Sequence, residues 1–459
     1  MIESVVIGAY LVGMLAIGLV SFGKIRNIAS FYVGDRSGTT SLVSGSLLAT
    51  IVGGSSTLGL VGLGYSRGLV GAWWMLVGAG GLLVLSFWLS GKVRSYEVYT
   101  LPEILKAQYG SEAVKVIASL LISLAWIGII AAQIIAGGKI LTTLWAVDLE
   151  ISMMLISAVC ILYTTLGGQY SILKTDFIQL IIILAGVFIC LVFSLVNAGG
   201  IASMAANLPP GHLSFPTSPT FSVHDLVLFC LFVGTTFIVG PDIYSRLFCA
   251  RSQGVARRAS LVAALIMIPL AFSLALIGMS ARIMLPEVPP ESAFPSLVMF
   301  LLPTGLNALV IAALLAAVMS SADTCLLTTS MMITADVIQP LLGKELSDTK
   351  LIFLSRVVIL IIGILSLAIA MDARGIISSL LLAYTVYSGG LFIPVVFGFY
   401  AHTMRLHHFG ALLAVISGGG LALFLTLSSR DDLLLLCFPV SVASLIAGSF
   451  FGRYFSSRR

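Results

Sequence analysis

The sequence predicts an all-α polytopic membrane protein of about 13 transmembrane helices, and three observations predict it. Hydrophobic residues fill 59% of the 459 positions and charged residues only 9%, against roughly 45–50% and 25% in globular domains. Apolar runs of the ~20 residues needed to cross a bilayer recur along the whole chain. Lys and Arg gather in alternate connections between those runs. So little polar surface cannot cover such a chain in water, and lipid is its expected solvent. Runs of this length also exclude the ten-residue alternation of a membrane β-barrel.

Thirteen stretches fall near residues 4–22, 42–65, 70–91, 114–144, 151–166, 175–197, 223–245, 259–284, 297–325, 354–371, 376–400, 409–428 and 433–451. The first has no basic n-region before it and no small-residue cleavage site after it, so a retained helix is expected rather than a signal peptide. The second is interrupted in ATIVGGSST, Ala49–Thr57. The amphipathic stretch 92–113 is expected to lie at the interface before the fourth span. The connection 198–222 carries Pro209, Pro210, Pro216 and Pro219 and cannot be one long helix. The seventh span is interrupted in VGTTFIVGPD, Val233–Asp242. In the eleventh, Tyr384 and Tyr387 lie near Gly389, Gly390 and Pro394, residues that allow a kink; the tyrosines also suit a membrane interface. Six cysteines follow no metal-ligand spacing and are expected as free thiols.

Placing the N-terminus outside puts 19 of the 24 basic residues on one side, the cytoplasmic side by the positive-inside rule. Arg246 is counted there; Arg67, Lys139, Arg282, Arg374 and Arg430 remain for the other side and the spans. This favours an odd span count with the C-terminus inside, in a bacterial inner membrane. The net charge of +5 is spread over all the short loops of one side, so it does not call for nucleic acid.

Spans two to six and seven to eleven form two groups of five, each opening on an interrupted helix. An odd number per group inverts one group against the other, and paired broken helices in that arrangement point to a transporter's central site. The alternative is that the glycines only permit tight helix packing. Free N–H groups at Gly53, Gly54, Ser55 and Ser56 are placed to receive a carboxylate at a half-helix end.

Sodium is a hard cation that wants oxygen ligands, as calcium and magnesium do. Ala317, Ser320 and Ser321 share a helix face at i, i+3 and i+4, where two hydroxyls can meet freed carbonyls of Ala49 and Val52 in a five-oxygen cage. The same serines can instead bond their own i−4 carbonyls. Asp176 and Asp323, with Thr324, are costly inside spans unless used. They offer a second cation position, a proton position or an ion path, and Asp176 can equally be a helix-end charge.

The segments AAVMSSADTCLLTTSMMITADV, YTTLGGQYSILKTDFIQ, TLPEILKAQYG, AQIIAGGKIL and GPDIYSRLFCARS resemble the signatures of the sodium:solute symporter family, in order and over nearly the whole chain. The resemblance implies a core of two inverted five-helix repeats, as in the sodium-coupled leucine transporter. Residues 1–40 then hold an extra helix and loop, 41–197 and 223–400 the repeats, and 401–459 two further helices of one transport domain. It places sodium ligands on Ala49, Val52, Ala317, Ser320 and Ser321, and the family's acid on Asp176. A second ion seen in some members would use Asp176, Asp323 and Thr324, where this chain has an acid and a threonine for two serines.

For the solute, the resemblance sets Gly53, Gly54, Ser55, Ser56, Thr235 and Thr236 where sugar carriers have Asn, Gln and Tyr, so a hexose is not expected. Trp126 stands where sialic acid carriers have an arginine, and Tyr384 and Tyr387 belong to the outer gate. A small amino acid or monocarboxylate is expected, carried with sodium by a chain for which a monomer suffices. The rival readings are a proton-coupled symporter using Asp176 and Asp323, or a transporter-like sensor with a separate signalling partner. An enzyme is not expected, because no span carries a nucleophile–base pair.

Overall fold

A computed structural model describes residues 2–22, 25, 27–343, 346–372 and 376–456. Lys24, Arg26, Lys344, Arg374, Arg458 and Arg459 of the charge count lie outside the described residues, as does the side chain of Ser55. After α1 (Ile2–Phe22) and the short α2 (Ile28–Val33), α3 (Thr40–Ile51) starts where the Thr39 hydroxyl accepts the Leu42 N–H. It ends because Val52 leaves helical geometry at φ −83°, ψ 47°. Gly53 and Gly54 follow, and a π-helical turn over Ser55–Gly59 leads into α4 (Leu60–Arg67).

The chain then folds through α5 (Trp73–Val84), α6 (Ser90–Ser95), α7 (Leu101–Tyr109) and α8 (Glu112–Trp145). Helix α7 is capped by Thr100, closed by Gly110 in the left-handed region at φ 64°, and buries Leu101, Ile104, Leu105 and Tyr109. That one-sided burial is what the amphipathic stretch predicts. Helix α9 (Leu149–Asn197) has 49 residues and would span about 74 Å if straight, far more than a bilayer. Gly168, at φ 56°, ψ −175°, breaks it into two crossings. A Cβ there would lie 2.6 Å from the Phe31 ring, so both the backbone and the packing require glycine.

Helix α10 (Gly200–Asn207) is followed by α11 (Val223–Leu228), a π-helical turn Phe229–Gly234 and α12 (Thr236–Val239). Gly240 is extended, at φ −64°, ψ 126°, and Pro241 opens α13 (Pro241–Cys249), a position where a missing N–H costs nothing. The chain continues through α14 (Gln253–Met284), α15 (Ala293–Leu301), α16 (Leu306–Met331), α17 (Gln339–Leu341) and α18 (Asp348–Asp372). It ends in α19 (Ile376–Gly398), α20 (His408–Leu427) and α21 (Cys437–Ser456).

Among the described residues, 10 helical stretches are long and apolar enough to cross a membrane, and Ser4–Ile17 and Thr40–Ile51 are shorter apolar helices. Leu149–Asn197 holds two of the expected crossings, and Ser56–Ser95 joins the end of the second to the third. The tally of 13 is therefore not one these helices return directly.

Helix α16 is the centre of the bundle: 94% of its most apolar window is buried, against 33% for α18. It packs on α3, α8, α9, α13 and α18. Small residues permit the closest crossings. A Cβ on Gly278 of α14 would meet the Val61 carbonyl of α4 at 2.1 Å. Gly389 and Gly390 of α19 bring α20 close, with Cβ positions 3.1 Å and 3.0 Å from the Gly418 and Val415 carbonyls. Their small size serves helix packing here.

Candidate functional site

Both helix breaks open onto one chamber, a narrow cavity of about 40 Å³. Thr50, Ile51 and Ser56 line it from the first break, and Val233, Thr236, Phe237, Asp242 and Ile243 from the second. Helices α5, α8, α16 and α19 complete the wall with Trp74, Met75, Trp126, Ile129, Gln133, Ser321, Cys325, Tyr384 and Tyr387. Trp74 stacks on Tyr384 at 6.2 Å and meets Phe229 edge-on at 5.7 Å. These rings lie toward the end of the bundle marked by residues 198–222, where Trp73 donates to the Pro216 carbonyl at 2.8 Å.

The residues expected to hold sodium meet beside this chamber. Ala49, Val52, Ala317 and Ser320 are fully buried and Ser321 nearly so. No described backbone N–H bonds the Ala49 or Val52 carbonyl, since the helix stops before a donor arrives. The Ser321 hydroxyl donates across the gap to the Thr50 carbonyl at 2.5 Å, rather than to its own helix. Ser320 donates to Asp176 Oδ1 at 2.6 Å. Gly53 makes this approach possible, because a Cβ there would sit 2.1 Å from Ser321 Oγ. Ser321 thus bridges α16 to the end of α3, and Ser320 bridges α16 to the Asp176 carboxylate of α9.

Arg246 corrects the charge count. Its side chain is fully buried in the bundle, not in a loop, because it stands two turns past the Gly240 break on α13 and faces α9 and α16. Its guanidinium pairs with Asp176 Oδ2 at 3.2 Å and reaches Gln169 and Thr50 at 3.2 Å; it also donates to Thr324. Ser46 donates to the same Asp176 oxygen. Asp176 and Thr324, two of the three residues offered to a second cation, are thus both held by a guanidinium. Asp323 stands apart from this network: its Oδ1 accepts the Thr324 N–H at 2.9 Å and its Oδ2 has no partner among the described residues.

The expected solute residues divide. Ser56, Thr236, Trp126, Tyr384 and Tyr387 line the chamber, whereas Thr235 bonds Ser388 and the Leu231 carbonyl between α11–α12 and α19. Gly53 and Gly54 contribute backbone behind the wall. Of the four N–H groups expected to be free, two are bonded: Gly54 N–H donates to Gln133 Oε1 at 2.8 Å, and Ser56 N–H to the Gly53 carbonyl at 3.1 Å. A glutamine from α8 thus takes one N–H of the half-helix end. Sequence reasoning missed Gln133, Trp74 and Asp242 in the wall. For Asp242 the signal was present, a charge directly after the Gly-Pro break of a span.

This is the architecture of a membrane transporter: discontinuous helices around a buried chamber, with hydroxyls and a carboxylate packed against one break. The sodium:solute symporter family model matches residues 31–418, and the chain belongs to that family. A high-affinity proline transporter of Bacillus subtilis is 24% identical over 95% of this chain and 94% of its own. A sodium/pantothenate symporter of Escherichia coli is 27% identical over 90% of this chain and 88% of its own. The structure of a Na+-coupled sialic acid symporter, 18% identical, superposes with a TM-score of 0.81 over 99% of this chain and 98% of that one. The fold is that of leucine-transporter-like sodium symporters, and the protein is a sodium-coupled solute symporter, not an enzyme.

Proposed function

We propose that the chain imports a small organic solute, an amino acid or monocarboxylate, with sodium held by the Ala49, Val52 and Ala317 carbonyls and the Ser320 and Ser321 hydroxyls. The solute sits in the chamber between the two breaks. Residues 41–197 and 223–400 act as inverted repeats of one transport domain, with 1–40 and 401–459 outside the core. The chain lies in a bacterial inner membrane with its N-terminus outside, and a monomer suffices, with no nucleic-acid partner. The observation that carries the reading is Ser321, which lines the chamber and donates to the Thr50 carbonyl of the broken helix.

Coupling follows from that placement. Sodium between α3 and α16 draws the break against Ser320 and Ser321, and the same backbone carries Thr50, Ile51 and Ser56 into the chamber wall. Binding either ligand pre-orders the site of the other, by the same factor in both directions. The Trp74–Tyr384–Phe229 cluster closes the chamber on what this orientation makes the outer side. Arg246 supplies the positive charge for Asp176, so one bound sodium completes the site without a second cation.

Purified protein should gain thermal stability with rising sodium but not with potassium. The doubly substituted Ser320→Ala, Ser321→Ala protein should lose that gain. Equal stabilisation by sodium in the variant would contradict the cage.

A further inference from the structure

We propose that the chamber selects solutes carrying a positively charged nitrogen, with Asp242 as the counter-ion. This deepens the reading above and rests on the chamber being the solute site. Asp242 is the second residue of α13, directly past the Gly240–Pro241 break, and it lines the chamber half-buried. No described side chain forms a hydrogen bond or ion pair with its carboxylate. Arg246, one turn further along, is committed to Asp176, Gln169, Thr50 and Thr324. No Lys, Arg or His is among the described residues lining the chamber. The first turn of α13 eases the charge, but a helix end supplies only about half a unit. A carboxylate in that state inside a membrane marks a ligand or ion position.

The walls decide which cation it takes. Trp74, Trp126, Phe237, Tyr384 and Tyr387 surround the same space. Aromatic faces attract a weakly hydrated organic cation, whereas sodium wants a close shell of oxygens, which the neighbouring Ser320–Ser321 position offers. Two hydrogen-bond donors remain for the other end of the solute. Trp126 Nε1–H is buried without a partner among the described residues. Gln133 has its Oε1 taken by Gly54, which leaves its amide N–H₂ to give. A cationic nitrogen at Asp242 and an acceptor, such as a carboxylate, at Trp126 and Gln133 fit together as a zwitterion. A plain monocarboxylate would leave Asp242 uncompensated and bring a second negative charge beside it.

The test uses paired isosteres on the full-length protein in saturating sodium: proline against cyclopentanecarboxylate, glycine betaine against 3,3-dimethylbutanoate, and choline against 3,3-dimethylbutanol. At least one nitrogen-bearing member should bind, by thermal shift or calorimetry, with its carbon partner at least about a hundredfold weaker, as losing one half of a buried charge pair implies. Asp242→Asn should weaken the nitrogen-bearing ligand by a similar factor while sodium alone still stabilises the protein. Equal binding of the carbon isostere, an unchanged affinity in D242N, or no binding by any nitrogen-bearing probe would overturn the proposal. If D242N does not fold, the isostere comparison on the wild type decides. Loss of the sodium-only shift in the wild type would instead sink the cage reading and leave the isostere result to judge Asp242.

Discussion

A methyl group on Gly53 would land 2.1 Å from Ser321 Oγ, which is fixed by its bond to the Thr50 carbonyl. Gly53→Ala should therefore push α16 off the break and raise the sodium concentration for half-maximal stabilisation by tenfold or more, by titration against the wild type. The Arg246–Asp176 pair is fully buried. Removing one partner of such a pair costs about 3–5 kcal/mol, while replacing both with neutral groups costs far less. Arg246→Gln should thus lower the melting temperature more than Arg246→Gln combined with Asp176→Asn. At this scale Ser320, Ser321 and Asp176 were legible, because spacing puts two hydroxyls on one face and an acid inside a span is conspicuous. Arg246 was not. A basic residue near the end of a span is read as a loop charge, and only the fold turns it inward. Asp242 was passed over as part of a helix-breaking motif, although it is a charge inside a span.

The two broken helices were legible as elements, because Gly pairs and a Gly-Pro step inside apolar runs have few other uses. What fills the break was not, since Gln133 belongs to a different helix and meets Gly54 only through the fold. The boundary between the fifth and sixth crossings was legible, since the apolar stretches 151–166 and 175–197 flank Gly168, where α9 breaks; hydropathy alone cannot see that a single left-handed residue makes the break. The α4–α14 crossing makes a prediction of its own. With Gly278 Cβ placed 2.1 Å from the Val61 carbonyl, Gly278→Ala forces backbone apart. Overpacking of this kind costs about 1–3 kcal/mol or more, so the variant should unfold at a lower temperature, while its sodium dependence relative to its own baseline stays intact. A variant as stable as the wild type would show that this crossing is looser than described.

Across the whole molecule, the buried α16 is held between α3, α8 and α9, and it carries both the cage serines and two residues of the chamber wall, Ser321 and Cys325. One element thus reports on both ligands, the physical basis for linking a downhill ion to an uphill solute. An inward sodium ion gains about 2.3 kcal/mol per 100 mV, enough to support a solute gradient of roughly fifty-fold for each ion carried. The membrane class, the transporter architecture and the ion were legible from composition, paired breaks and the Ala317–Ser321 face taken with its family resemblance. The solute was not, because the chamber wall is built from helices far apart in the sequence that meet only in the fold.

The central claim is that a single sodium ion bound by Ser320 and Ser321 is coupled to the chamber. Binding of radioactive sodium to the purified protein tests it most directly, measured in the wild type and in the Ser320→Ala, Ser321→Ala variant, with and without a solute that binds the wild type. The account predicts one saturable site in the wild type, tightened by the solute by the same factor that sodium tightens the solute, and no saturable site in the variant. Undiminished sodium binding in the variant, or sodium binding in the wild type indifferent to solute, would contradict it.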